Sequence, residues 1–179
     1  TLQVIALLQR LKEDGALDDG RALVIVPTSL LTNWQKEAER FAPSLPVLVH
    51  HGLKRVRSDA FVKEAEKHAL VLSSYSLLHR DRKLFEKVPW AGVILDEAQN
   101  IKNPDAAVSR AVLELNARHR LALTGTPIEN RALDLWSTID MPPSTNEPGK
   151  DWWLDAVNRP LGAYYRVDPR SVTDMHVAL

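Results

Sequence analysis

Two neighbouring carboxylates, Asp96 and Glu97, close the apolar run Val93-Ile94-Leu95. Such a run suits a strand buried on both faces of a parallel sheet, and ligands bind at the carboxyl ends of those strands. Adjacent side chains at a strand end diverge. Asp96 can therefore hold a hydrated magnesium ion through water while Glu97 polarises an attacking water. For the pair taken alone, an acidic solvated turn is the plain alternative.

Two further strand ends carry polar groups. Leu121-Ala122-Leu123 runs into Thr124-Gly125-Thr126-Pro127. Hydroxyls there can hydrogen-bond across to the carboxylate strand, and glycine permits an unusual backbone. Val24-Ile25-Val26 runs into Pro27-Thr28-Ser29 and then Leu30-Leu31-Thr32-Asn33-Trp34. Amides at that helix start suit a phosphate, and Thr28 or Ser29 suits an ordinary N-cap, which uses the same geometry.

The elements that must position these groups alternate along the chain. Continuous apolar runs predict strands at 22–27, 46–50, 70–74, 92–96 and 121–124. Apolar residues at spacings of three and four predict helices at 2–13, 30–41 and 105–115. Leu2, Ile5, Ala6 and Leu8 lie near one stripe of the first helix. Leu30, Leu31, Trp34, Ala38 and Phe41 mark the second, and Val108, Ala111, Val112 and Leu115 the third. Strand alternating with helix is the pattern of an α/β domain. Thr1 opens a helix directly, so the strand that feeds it is expected upstream. Residues 1–140 read as one lobe. Residues 141–179 hold five of the 11 prolines and no convincing strand, so they read as a divergent proline-rich tail or linker.

Composition removes whole classes of function. At 179 residues, 45% of them apolar, the chain can bury one core of ordinary size. It has no cysteine, which excludes disulfides, thiolate metal sites and a cysteine nucleophile. No apolar run reaches the ~18 residues that span a bilayer, so no membrane partner is expected. Lys plus Arg equals Asp plus Glu at 23 each, which argues against a uniformly basic coat. Residues 1–90 hold 14 basic and 11 acidic residues, a weak asymmetry that makes the front half the place to look for a polyanion-facing side.

Taken together, these motifs resemble the SNF2 branch of the superfamily 2 helicase-like ATPases, over roughly residues 1–140. Thr1-Leu2-Gln3 is similar to the end of the family's Walker A segment. Residues 27–34 are similar to motif Ia. His50-His51-Gly52 with Lys54 and Arg55 resembles the family's histidine–glycine turn, and Leu72-Ser73-Ser74-Tyr75 stands where motif Ib belongs. Asp96-Glu97-Ala98-Gln99 with Asn100-Ile101-Lys102-Asn103 resembles motif II in its bacterial form. Leu123–Pro127 with Glu129, Asn130 and Leu135-Trp136-Ser137 resembles motif III.

The resemblance implies a three-layer α/β/α RecA-like lobe with a mostly parallel sheet, lacking the strand that carries the phosphate loop. Loss of that strand from within the sheet is expected to leave open strand edges. The implied activity is ATP-driven translocation on double-stranded DNA, remodelling protein–DNA complexes in a cytoplasmic or nucleoid setting. ATP and Mg2+ are the implied cofactors. Thr1, Gln3, Asp96 and Glu97 would meet nucleotide, with Thr1 and Asp96 on the metal and Glu97 activating water. Pro27, Thr28, Ser29, His51, Gly52, Lys54, Arg55, Ser73, Ser74 and Tyr75 would meet DNA phosphates, without reading sequence. Thr124, Gly125, Thr126 and Asn130 would couple nucleotide state to the DNA track. A second RecA-like lobe, which supplies the family's arginine finger, is not in this sequence, nor is the phosphate-loop lysine. The isolated chain is therefore expected to be inactive. An RNA-directed helicase lobe, or a scaffold that keeps the fold without the chemistry, are the alternatives. Arg118-His119-Arg120 and Arg80 to Lys83 read as surface, and Trp34 as core.

Overall fold

A computed structural model describes residues 1–101, 103 and 106–123. Five strands form one sheet: β1 (Arg21–Val26), β2 (Val47–Val49), β3 (Leu70–Ser74), β4 (Trp90–Leu95) and β5 (Ala117–Ala122). Their order is β2-β3-β1-β4-β5, and every neighbouring pair is parallel. The described sheet is continuous. Its open edges belong to β2 and β5.

Among the described residues α1 (Leu2–Glu13) precedes β1, and α2 (Leu31–Phe41), α3 (Asp59–Ala65), α4 (Tyr75–Arg80), α5 (Arg82–Phe85) and α6 (Ala107–Leu113) lie between the strands. Side chains alternate across a strand, and the core divides accordingly. Leu23, Ile25, Val71, Val93 and Leu95 pack with Phe61, Tyr75, Phe85 and Val112 of α3 to α6. The intervening Ala22, Val24, Leu70, Leu72 and Ile94 are equally buried. They face the other layer, where α1 packs on α2 and α2 on β2 and β3. Strands β3 and β4 are buried along their whole length, as apolar runs covered on both faces must be.

Helix α1 has its predicted bounds, but its buried stripe is Val4, Ile5, Leu8 and Leu11, and Leu2 is 50% exposed. In α2, Leu31, Trp34 and Ala38 are buried while Phe41 turns outward beneath the Arg40 guanidinium. Strand β5 begins four residues before its predicted start. Arg118, His119 and Arg120 are strand residues, and Arg120 is not a surface group. Its guanidinium donates to the carbonyls of Val112, Leu113 and Leu115 at the end of α6.

The strand order fixes where a ligand can enter. From β1 the chain leaves through α2 toward β2; from β4 it leaves through α6 toward β5. Strands β1 and β4 are neighbours whose connections depart in opposite directions. The crevice outside their carboxyl ends is thus the topological switch point, where open α/β sheets bind ligands.

Candidate nucleotide and phosphate site

Asp96 stands at that crevice. Its amide extends the sheet by donating to Ile25 O of β1 at 2.9 Å. On the other side Leu123 donates to Leu95 O at 2.8 Å, and Ala98 donates to Leu123 O at 2.9 Å. The turn after β4 is therefore bracketed by β1 and by the chain leaving β5.

Both carboxylate oxygens of Asp96 are oriented by the protein. Oδ1 accepts from the Glu97 amide at 3.0 Å, and Oδ2 accepts from the Trp34 indole N–H at 2.8 Å. The Asp96 carbonyl accepts from the Tyr75 hydroxyl at 2.7 Å. Burial, followed by the nearby charges of Asp96 and Glu97, pushes the Tyr75 hydroxyl above its ordinary pKa, so it remains a donor. Each carboxylate oxygen keeps a lone pair beyond its single bond. That suits a magnesium ion held mainly by phosphates and water, with the carboxylate at its edge. Among the described residues no group of three or more His, Asp or Glu could enclose a metal.

Glu97 adopts φ 51°, a left-handed backbone that is uncommon without glycine. Its carbonyl accepts from the Asn100 amide at 3.0 Å and from Asn100 Nδ2 at 2.7 Å. Its Oε2 accepts from Gln99 Nε2 at 2.5 Å. The two carboxylates thus have different partners, the Trp34 indole and the Glu97 amide for Asp96 and the Gln99 amide for Glu97.

The sequence-predicted phosphate contacts divide into exposed and internal groups. Thr28 and Ser29 are exposed on a 3-10 turn, Thr28–Leu30, that runs into α2 from the half-exposed Pro27. No side-chain cap closes either helical start, contrary to the N-cap reading. His51, Gly52 and Lys54 are exposed, and Gly52 takes φ 77°. Arg55, by contrast, turns inward. Its Nε and Nη2 donate to Asp81 at 2.6 and 3.1 Å, and its side chain is only 4% exposed. Ser73 and Ser74 are buried as well. Ser73 donates to His50 O at 3.2 Å, and Ser74 accepts the Leu77 amide as the N-cap of α4. Tyr75 is committed to Asp96. The side chains of Arg55, Ser73, Ser74 and Tyr75 are thus bonded within the protein. Thr1 and Gln3 are exposed at the start of α1, in the same helical layer as Trp34. Thr124, Gly125, Thr126 and Asn130 lie outside the described residues, as do Lys102, Trp136 and the 141–179 tail.

Two residues escaped the sequence reading. Trp34 was legible only as core, since its helical spacing reports burial and not the partner of its N–H. His50 is 1% exposed and edge-on to Phe61 and Phe85, with Nε2 bonded to Asp81 at 2.9 Å. Nothing local in the sequence marks that pairing.

A parallel sheet between helical layers, with an acidic pair at its switch point, is the arrangement of a RecA-like α/β fold. The chain belongs to the SNF2-related domain family, whose model matches residues 1–177. It is 45% identical over 140 residues to YwqA of Bacillus subtilis, covering 78% of this chain and 15% of YwqA. It is 40% identical over 157 residues to Helicase SWR1 of Eremothecium gossypii, covering 84% of this chain and 10% of that helicase. Among solved structures, it matches the Sulfolobus solfataricus SWI2/SNF2 ATPase core in complex with dsDNA, with TM-score 0.68 and 39% identity. That match covers 79% of this chain and 28% of the Sulfolobus chain. The chain therefore spans a small part of the relatives it matches.

Proposed function

We propose that residues 1–140 are the first lobe of an ATP-hydrolysing motor that translocates on double-stranded DNA and remodels protein–DNA complexes. Residues 141–179 would be a tail or linker. The observation that carries this reading is the Asp96–Glu97 turn at the β1/β4 crevice, with Asp96 fixed by Trp34. The Sulfolobus core bound to dsDNA supports the choice of duplex DNA, and the likeness to YwqA, named an ATP-dependent helicase/translocase, supports an ATP-driven motor. A bacterial, cytoplasmic and nucleoid-associated setting belongs to the same proposal.

In this reading Thr1 and Gln3 meet the nucleotide from the start of α1. Thr1 and Asp96 hold Mg2+, which when bound screens phosphate charge and favours attack at the γ-phosphate. Glu97 accepts a hydrogen bond from the attacking water and takes its proton. Thr124, Gly125, Thr126 and Asn130 couple this site to the DNA track. Thr28, Ser29, His51, Gly52 and Lys54, with the turn at 74–76, face the DNA backbone, while the side chains of Arg55, Ser73, Ser74 and Tyr75 support that surface from within. A second lobe supplies an arginine finger, typically worth ~10³–10⁵ in rate.

The test is phosphate release with and without duplex DNA, on the isolated chain and on the complete protein. The expected result is negligible turnover by the chain and DNA-stimulated turnover by the complete protein. Clear turnover by the chain alone, or greater stimulation by RNA than by duplex DNA, overturns the reading.

A further inference from the structure

Asp96 is gripped from both helical layers at once. From one layer, the buried Trp34 of α2 donates its indole N–H to Oδ2 at 2.8 Å. From the other, Tyr75, the first residue of α4, donates its hydroxyl to the Asp96 carbonyl at 2.7 Å. A buried indole N–H needs an acceptor, and a backbone carbonyl would serve. Here it uses the carboxylate on which the proposed chemistry depends.

Each of these donors stands just behind a surface turn. The exposed 3-10 turn Thr28–Leu30 runs without interruption into α2, and Trp34 lies one helical turn further on. Ser74 caps α4 and shares a hydrogen bond with the exposed Ser76 at 3.2 Å, with Tyr75 between them. Trp34 is 0% and Tyr75 7% exposed, so neither ring has room to absorb a displacement of its own backbone. A load on either turn reaches Asp96 through one side chain. The adjoining Glu97 amide, bonded to Oδ1, passes it to the left-handed turn that carries the Glu97 carboxylate.

We propose that Trp34 and Tyr75 are positioning residues that transmit phosphate-backbone contact at the 28–30 and 74–76 turns to Asp96 and Glu97. The clasp makes ATP turnover depend on the DNA track. This inference rests on the motor reading above and adds to it the route by which DNA regulates the site.

The test uses the complete protein carrying Trp34→Phe or Tyr75→Phe. Tyr75→Phe deletes only the donor; Trp34→Phe deletes the donor together with the five-membered half of the buried indole. Steady-state turnover is measured against ATP with and without a blunt duplex, alongside duplex affinity and a thermal melt. In each variant we expect the ratio of DNA-stimulated to basal kcat to fall at least about fivefold. KM for ATP and Kd for duplex should stay within about twofold. An unaltered ratio in both variants overturns the inference and leaves the motor reading standing. A fall in one variant only overturns the two-sided clasp and assigns the route to that layer. If Trp34→Phe melts early, Tyr75→Phe, whose hydroxyl is the only group removed, decides the question. A wild-type protein that turns over no ATP with duplex overturns the motor reading, and the inference falls with it.

Discussion

His50 donates from Nε2 to Asp81 Oδ2 at 2.9 Å, across 31 residues of sequence and between the rings of Phe61 and Phe85. An ionised carboxylate only accepts, so the neutral imidazole carries its proton on Nε2. Burial lowers the His50 pKa from 6.5, outweighing the pull of Asp81 in the other direction. Asp81 is lowered to about 2, first by its hydrogen bond from Arg55 and then by that from His50. Both shifts make the unfolded chain the better proton acceptor as pH falls. Stability should therefore decline below about pH 6.5 as His50 protonates in the unfolded state. It should decline again from about pH 4 toward the folded Asp81 value. Urea midpoints across this range check it: His50→Gln should flatten the upper limb and Asp81→Asn the lower. Midpoints independent of pH between 7 and 5 in the wild type would contradict the assignment.

Asp81 also carries the Arg55 guanidinium, which is nearly buried. Asp81→Ala strands that cation, and removing one partner of such a pair costs about 3 kcal/mol. Replacing both partners with apolar residues, as in Arg55→Met with Asp81→Leu, should cost less than the single change. Denaturant titration of the three chains checks this; a double variant weaker than Asp81→Ala alone rules out the stranded charge as the cause.

The interior strands were legible because burial on both faces leaves an unbroken apolar run, as in Leu23 to Val26 and Val93 to Leu95. Edge strand β5 was legible only at its end, from Leu121, since Arg118, His119 and Arg120 occupy its first half. Their polarity is tolerated because β5 has one bonded neighbour among the described strands. Asp96 and Glu97 were legible as a motif, and the switch-point crevice then followed from strand order. The partners were not. Trp34 and Asp96 are 62 residues apart, and Arg55 and Asp81 are 26 apart. Those meetings depend on the register of β1 against β4 and on where α4 ends, neither of which local periodicity records.

Glu97 separates the proposed chemistry from the fold. Its carboxylate is bonded by Gln99, while its unusual backbone is held through its carbonyl by Asn100. Glu97→Gln keeps the shape and removes the base. In the complete protein, turnover should fall about 10²–10⁴-fold, the range of a lost general base. ATP affinity and the melting curve should change little. Retention of more than a tenth of wild-type turnover excludes Glu97 as the proton acceptor.

Gly20 tests the packing beneath the site. A Cβ at that position would lie 2.9 Å from Ala91 Cβ and 3.1 Å from the Ala91 amide nitrogen. Real carbons do not approach so closely, so β1 and β4 must part at their amino ends to admit a methyl group. Overpacking of this kind costs about 1–3 kcal/mol. Gly20→Ala should lower the denaturant midpoint accordingly. Adding Ala91→Gly should recover part of the loss, because it removes the nearest atom but leaves the backbone contact. Independent, additive effects of the two changes would show that the residues do not meet.

Arg120 makes the sharpest case for a strand residue whose work lies in a helix. Its guanidinium collects the carbonyls of Val112, Leu113 and Leu115 at and just beyond the end of α6, where intrahelical donors run out; Val112 O also accepts the Leu115 amide at 3.3 Å. Burial pulls its pKa below that of a free guanidinium, yet arginine remains charged at any physiological pH. A cation at a helix C-terminus also meets the negative end of the helix dipole. Arg120→Met keeps much of the apolar stem and deletes every donor. It should cost about 1–3 kcal/mol, the usual penalty for buried acceptors left unpaired. Hydrogen exchange locates the effect: amides in the last turn of α6 should lose protection ahead of those in β1 and β3. Uniform loss across the sheet would mean that Arg120 supports β5 and not the helix end.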